Sequence, residues 1–264
     1  MSKIQSTFAQ LKSENKKALI PFITAGDPHP DMTVSMLHAL VDYGADMIEL
    51  GIPFSDPMAD GPVIQRASER ALANNVGIKK TIKLVKQFRE NNTKTPIILM
   101  GYANPIEAIG IDNFVNLIKD ADVDGVVTVD YPPEESKEFV SLLRKNDIDS
   151  IFLISPTTED TRIKLITSQA SGFLYYVSLK GVTGSSNIDI MQVAERVMNI
   201  KKYSDLPVAV GFGVRDSETA KQVALISDAV VIGSRIVLEV ESSSQENILV
   251  NIKKLMDEIK KAIS

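Results

Sequence analysis

The chain has 264 residues, 44% of them hydrophobic and 24% charged, with 29 Lys+Arg against 34 Asp+Glu for a net charge of −5. These are the proportions of a folded globular protein. An acidic balance without a basic cluster excludes the electrostatic footprint of a nucleic-acid binder, and the absence of Cys with only two His excludes disulfides, thiolate nucleophiles and multi-histidine metal centres. No run approaches the ~18 apolar residues of a membrane span, and the polar start Met1-Ser2-Lys3 lacks the apolar region of a signal peptide, so a cytoplasmic protein is expected.

Ile4, Phe8 and Leu11 recur at helical spacing and predict a helix ahead of the first strand. Strands are then predicted over Ala18–Ala25, Asp46–Gly51, Pro96–Gly101, Gly125–Asp130, Asp149–Ile154, Gly172–Ser178, Pro207–Gly211 and Asp228–Gly233. Their near-continuous apolar character is that of parallel strands buried on both faces. Between the first two, Met36, Leu37, Leu40 and Val41 form the stripe of an amphipathic helix. His38 lies off that stripe and is expected to face solvent, and His29, between two prolines, to lie in a turn. The long step after the second strand has room for two helices, Pro62–Ala73 and Lys79–Asn91. Ser243-x-x-Glu246 reads as a capping box opening a last helix with Leu249, Ile252, Leu255 and Ile259 inward. Eight βα units in one chain close best as a single (β/α)₈ barrel domain over 1–264, with an extra N-terminal helix and an extra helix after strand two.

In such a barrel the chemistry stands at the C-terminal strand ends. Glu49 lies inside the apolar run Met47–Gly51, where a carboxylate either is held by a neighbouring donor for structural reasons or has its pKa shifted for function. Asp60 precedes Gly61-Pro62, which reads both as an ordinary helix start and as a second acid facing the same pocket, an arrangement suited to acid/base work. Gly211-Phe212-Gly213 and Gly233-Ser234 end strands seven and eight before helices; they either turn tight corners or hold a phosphate on backbone N–H groups. Gly181–Gly184 after strand six could add donors or form a lid. Asp120-Ala-Asp122-Val-Asp124-Gly125 copies the start of a calcium loop, but Tyr131 stands where the closing Glu belongs, so the match is a coincidence.

The stretch Ile48-Glu-Leu-Gly-Ile-Pro-Phe-Ser-Asp-Pro-Met-Ala-Asp-Gly-Pro-Val-Ile-Gln65 strongly resembles the signature of the tryptophan synthase α chain family. Supporting segments run through the chain at Pro21–Pro28, Met100–Pro105, Gly181–Gly184 and Val210–Gly213. The resemblance implies a TIM-barrel lyase that cleaves indole-3-glycerol phosphate to indole and glyceraldehyde 3-phosphate without a cofactor or metal in this chain. It implies Glu49 and Asp60 as the catalytic pair. Phe22, Tyr102, Tyr175, Thr183 and Phe212 are then expected around the substrate, and Gly184, Gly213, Gly233 and Ser234 at the phosphate. It also implies a pyridoxal-phosphate β subunit as partner in an α2β2 heterotetramer, met at Pro53, Asp56, Pro57, Asn104, Asp130 and Pro132. Two other functions remain open at this point: a catalytically weak barrel serving as an allosteric binding subunit, and a Schiff-base aldolase using Lys180 just past strand six.

Overall fold

The computed structural model describes residues 1–177, 190–211 and 213–264. Eight parallel strands close into a barrel in sequence order: β1 (Ala18–Thr24), β2 (Ile48–Gly51), β3 (Ile97–Gly101), β4 (Gly125–Thr128), β5 (Asp149–Ile154), β6 (Leu174–Val177), β7 (Val208–Gly211) and β8 (Ala229–Ile232), with β8 pairing β1. The predicted strands are thus all present, most of them trimmed at the ends. The start of the second is one case: Asp46 is not in β2, because its carboxylate accepts from the Leu19 N–H and from Lys260 Nζ and so turns the chain below the barrel.

Alternation within β1 shows why both faces are apolar. Ala18 and Ile20 join Met47, Ile98, Val127, Ile151, Phe173, Tyr175, Ala209, Ala229 and Val231 in the barrel interior, whereas Leu19 and Ile23 pack outward against the helix layer. Helix α1 (Lys3–Ser13) plugs the N-terminal end with Ile4, Phe8 and Leu11, its Phe8 ring 5.8 Å from Phe173. Each such apolar side chain contributes on the order of 1.5–3 kcal/mol on burial. Ser2 caps that helix in a capping box with Gln5, and its hydroxyl also donates to Asp149 at the foot of β5.

The outer layer holds α2 (Pro30–Asp42), α3 (Pro62–Ala73), α4 (Ile78–Arg89), α5 (Ala103–Ile109), α6 (Ile111–Asp120), α7 (Lys137–Lys145), α8 (Asp160–Gln169), α9 (Ile190–Ile200), α10 (Ser217–Ile226), α11 (Ser234–Ser242) and α12 (Ile248–Ile263). The extra helix predicted after strand two is α3 followed by α4. Strand three is likewise followed by two helices, α5 and α6, which meet at Gly110 in the left-handed region (φ 86°).

Three expectations are corrected. The last helix starts at Ile248 with Asn247 as N-cap and no side-chain cap; Ser243 instead ends α11, where its hydroxyl donates to the Glu239 carbonyl and accepts from Asn251. A hydroxyl that finds a carbonyl four residues back terminates one helix instead of opening another. His38 is half-buried, its ring 4.8 Å from Phe88 of α4, because α2 and α4 pack side by side. His29 is the N-cap of α2, accepting weakly from the Asp31 N–H at 3.4 Å. The acids of the calcium-like stretch are engaged elsewhere: Asp124 takes Arg89 Nη2 at 2.6 Å and Lys3 Nζ at 3.2 Å, and Asp122 takes Lys3 Nζ at 2.6 Å.

Candidate active site

The C-terminal mouth of the barrel collects the acids singled out above. Glu49 sits on the interior face of β2, opposite Phe22 of β1 in the strand register, and is 2% exposed. Its Oε2 is 3.5 Å from the Tyr175 hydroxyl of β6, and its Oε1 has no partner among the described residues. Burial pushes the carboxyl up to about 8; the Tyr175 hydroxyl opposes that rise and the charge of Asp60 adds to it. Tyr175 is in turn pushed well up by its own burial and by Glu49. A buried acid facing a phenol instead of a cation is poor structural glue, because the Tyr175 hydroxyl offsets only part of the cost of ionising it.

Asp60 comes to the same mouth from the loop after β2. Gly61 is the N-cap and Pro62 the first residue of α3, as the helix-start pattern predicts. Half-buried, Asp60 is raised to about 6 by loss of solvent, with the Tyr102 hydroxyl pulling the other way. Tyr102 fixes this loop: its oxygen accepts from the Ala59 N–H at 3.1 Å, and its ring lies 5.3 Å from Phe54. At pH 7 the pair is therefore split, with Glu49 mostly protonated and Asp60 mostly ionised, which is how two carboxyls take different roles in one site.

Two glycines make the room. A Cβ on Gly51 would stand 2.6 Å from Phe22 Cζ, and one on Gly211 would stand 2.6 Å from the ring and hydroxyl of Tyr175. Any side chain at either position would push these rings off the site. The Phe22 ring also reaches Gly233, whose notional Cβ lies 3.5 Å away, so it spans from the acids to the end of β8. There Gly233 is the N-cap of α11 and Ser234 its first residue; no side chain among the described residues caps that terminus, which leaves its amides to an anion. Gly213, after β7, has φ 91°. Thr183, Gly184, Phe212 and Lys180 lie outside the described residues.

On the rim, Asp56 is exposed and accepts from Ser55 Oγ at 2.6 Å, beside Pro57 and the 83% exposed Met58. Asp130 accepts from the Ala103 N–H at 2.7 Å, which brings the loop after β4, with Pro132, against exposed Asn104. Pro53 is buried. Sequence reasoning does not single out Phe54, Met100 of β3, or Thr24, buried at the end of β1 with its hydroxyl unpartnered among the described residues. The two-residue spacing from Phe22 to Thr24 is the signal that puts both on one strand face. Among the described residues no cluster of three or more His, Cys, Asp or Glu side chains is arranged to hold a metal ion.

Comparison with known proteins agrees with this fold. The family described as tryptophan synthase alpha chain matches residues 8–264. The tryptophan synthase alpha chain of Janthinobacterium sp. (strain Marseille) is 57% identical over 263 residues, covering 100% of this chain and 99% of its own; that of Herminiimonas arsenicoxydans is 57% identical with the same coverage. The crystal structure of tryptophan synthase subunit alpha from Legionella pneumophila str. Paris superposes with a TM-score of 0.93 at 43% identity, covering 100% of this chain and 98% of that one. With a closed eight-stranded barrel and a full-length match, the chain belongs to the tryptophan synthase alpha chain family.

Proposed function

We propose that this barrel, a carbon–carbon lyase of tryptophan biosynthesis that cleaves indole-3-glycerol phosphate to indole and glyceraldehyde 3-phosphate, does so with Glu49 as proton donor and acceptor and Asp60 as the charge that steadies the indole. The observation that carries this reading is the buried, half-unpartnered Glu49 carboxyl, raised to about 8 beside an Asp60 raised only to about 6. Protonated Glu49 gives its proton to indole C3, which loads positive charge onto the ring. The resulting Glu49 carboxylate takes the proton of the hydroxyl on the adjoining glycerol carbon. As that C–O becomes the aldehyde C=O, the bond from C3 to the glycerol carbon breaks and its electron pair returns to the ring. Asp60 accepts from the indole N–H and stabilises the positive charge while it exists. Each role contributes about 10²–10⁴-fold in rate.

The substrate's phosphate is read at Gly233, Ser234 and Gly213, with Gly184, while Phe22, Tyr102 and Tyr175, with Thr183 and Phe212, enclose the ring. Anchoring at a site remote from the broken bond supplies orientation. These steps move only protons and electron pairs, so the reading places no cofactor in this chain; none of the eight strands contains a lysine that could hold a carbonyl as a buried Schiff base. The family works with a β subunit. A pyridoxal phosphate in that partner, an α2β2 assembly met at Asp56, Pro57, Asn104, Asp130 and Pro132, a cytoplasmic location and a single-domain chain complete the reading.

The pH dependence tests it. Productive binding needs Asp60 ionised and Glu49 protonated, so kcat/KM for indole release is expected to rise as pH passes about 6 and to fall as it passes about 8. A profile that climbs steadily through pH 8 would assign Glu49 the wrong starting form.

A further inference from the structure

The helix that begins beside Asp60 is held at its far end by charged side chains that take no part in the reaction. Asp27, in the loop after β1, is buried and accepts from Arg70 of α3 at 2.6 Å (Nε) and 3.0 Å (Nη2). The remaining nitrogen of Arg70, Nη1, donates to Glu241 of α11 at 2.7 Å. Arg66, one turn nearer Asp60, donates to both Glu241 oxygens at 2.7 Å. Four side chains therefore bridge three elements, and the other ends of those elements carry Phe22, Asp60 and Ser234. Between them Val63, Ile64 and Ala67 of α3 pack against Phe22 and Val237, so the charged contacts fix the rotation of a helix whose apolar face already touches the pocket.

A planar guanidinium bound by two carboxylates at once permits one orientation, which a lysine or a single ion pair does not. The geometry is sensitive because α3 has 12 residues and so is about 18 Å long. A ~1 Å misplacement of a reacting group can cost about 10²-fold, so a fraction of that shift at the Asp60 end is enough for a loss of about tenfold. Arg66, with help from Arg70, holds Glu241 down at about 2 despite its partial burial, so the contacts to Glu241 stay charged wherever Glu49 and Asp60 titrate, whereas burial pushes Asp27 up against the pull of Arg70.

We propose that Arg70, acting with Glu241, is a positioning residue for the lyase reaction, locking α3 to α11 and to the loop after β1 and thereby setting the distance between Asp60 and the phosphate seat at Ser234. This rests on the roles given to Asp60 and Ser234 above. The test uses the full chain with Arg70→Lys and, on its partner, Glu241→Gln, each alone and combined with Asp60→Asn. Each is expected to lower kcat about tenfold while the Kd for glycerol 3-phosphate changes less than twofold. In the Asp60→Asn background each is expected to cost less than twofold, because the group they position is already disabled. A tenfold loss that persists in that background, or a fall in Tm with kcat unchanged in both variants, would overturn the proposal. An Asp60→Asn chain with the parent's rate fails a different claim, the role of Asp60, and removes the purpose of the lock with it.

Discussion

Replacing Glu49 by Gln is expected to lower kcat for indole release about 10²–10⁴-fold while leaving KM within about threefold, since the phosphate seat lies on other strands. The amide matches the carboxyl in size and is neutral like the protonated acid, so packing beside Phe22 and Tyr175 survives; what is lost is the proton itself. The same substitution changes stability in a pH-dependent way. The folded-state pKa, about 8, lies above the unfolded value near 4.5, so between those values the folded chain holds a proton that the unfolded chain has released. Stability from this group is complete below about pH 4.5 and is lost as pH rises through about 8. The Gln variant should therefore lose activity and gain stability over the parent above pH 8, by a few kcal/mol at most, read as a higher Tm. A variant that keeps a tenth or more of the rate would remove Glu49 from its role.

At the opposite end of the barrel, Arg89→Ala is expected to cost stability and spare chemistry. Arg89 is buried with Asp124 and gives every nitrogen a partner: Nε to the Asp122 carbonyl, Nη1 to those of Asn92 and Thr95, Nη2 to Asp124 at 2.6 Å. Asp124 Oδ2 also accepts from the Ile97 N–H at the start of β3. Truncation leaves a buried carboxylate with Lys3 as its one counter-ion among the described residues and strands three carbonyls. Such a loss typically costs about 3–5 kcal/mol, or a Tm lower by about 10 °C for a chain of this size. Because the network lies below β3 and β4 while the acids lie at the other mouth, kcat of the folded variant should stay within twofold. Calorimetry and a steady-state assay check both halves, and a Tm within about 2 °C of the parent would show that the network adds little.

These networks mark what the sequence leaves out. Strand order and closure are legible because apolar runs such as Ile97–Met100 recur once per βα unit and can be buried only between a barrel interior and a helix layer. Glu49 is legible because a charge inside such a run violates the pattern, and Asp60 because it precedes Gly-Pro at a helix start. Arg70 and Arg89 are not legible: a charged residue on an amphipathic helix looks solvated until the fold brings Asp27 or Asp124 to it from 43 or 35 residues away. Ser243 misleads for the complementary reason, since a capping motif is local and the tight turn between α11 and α12 decides which helix it serves. His38 misleads likewise, since its own helix suggests solvent whereas the position of α4 determines what its ring touches.

The most direct measurement is a crystal structure of the slow Asp60→Asn chain with indole-3-glycerol phosphate bound. A Glu49 oxygen is expected within about 3.5 Å of indole C3, in reach of a direct proton transfer, with the ring against Phe22 and the phosphate on the Ser234 amide at the start of α11. A substrate whose phosphate lies away from β7 and β8, or whose C3 faces some other side chain, would contradict this mechanism.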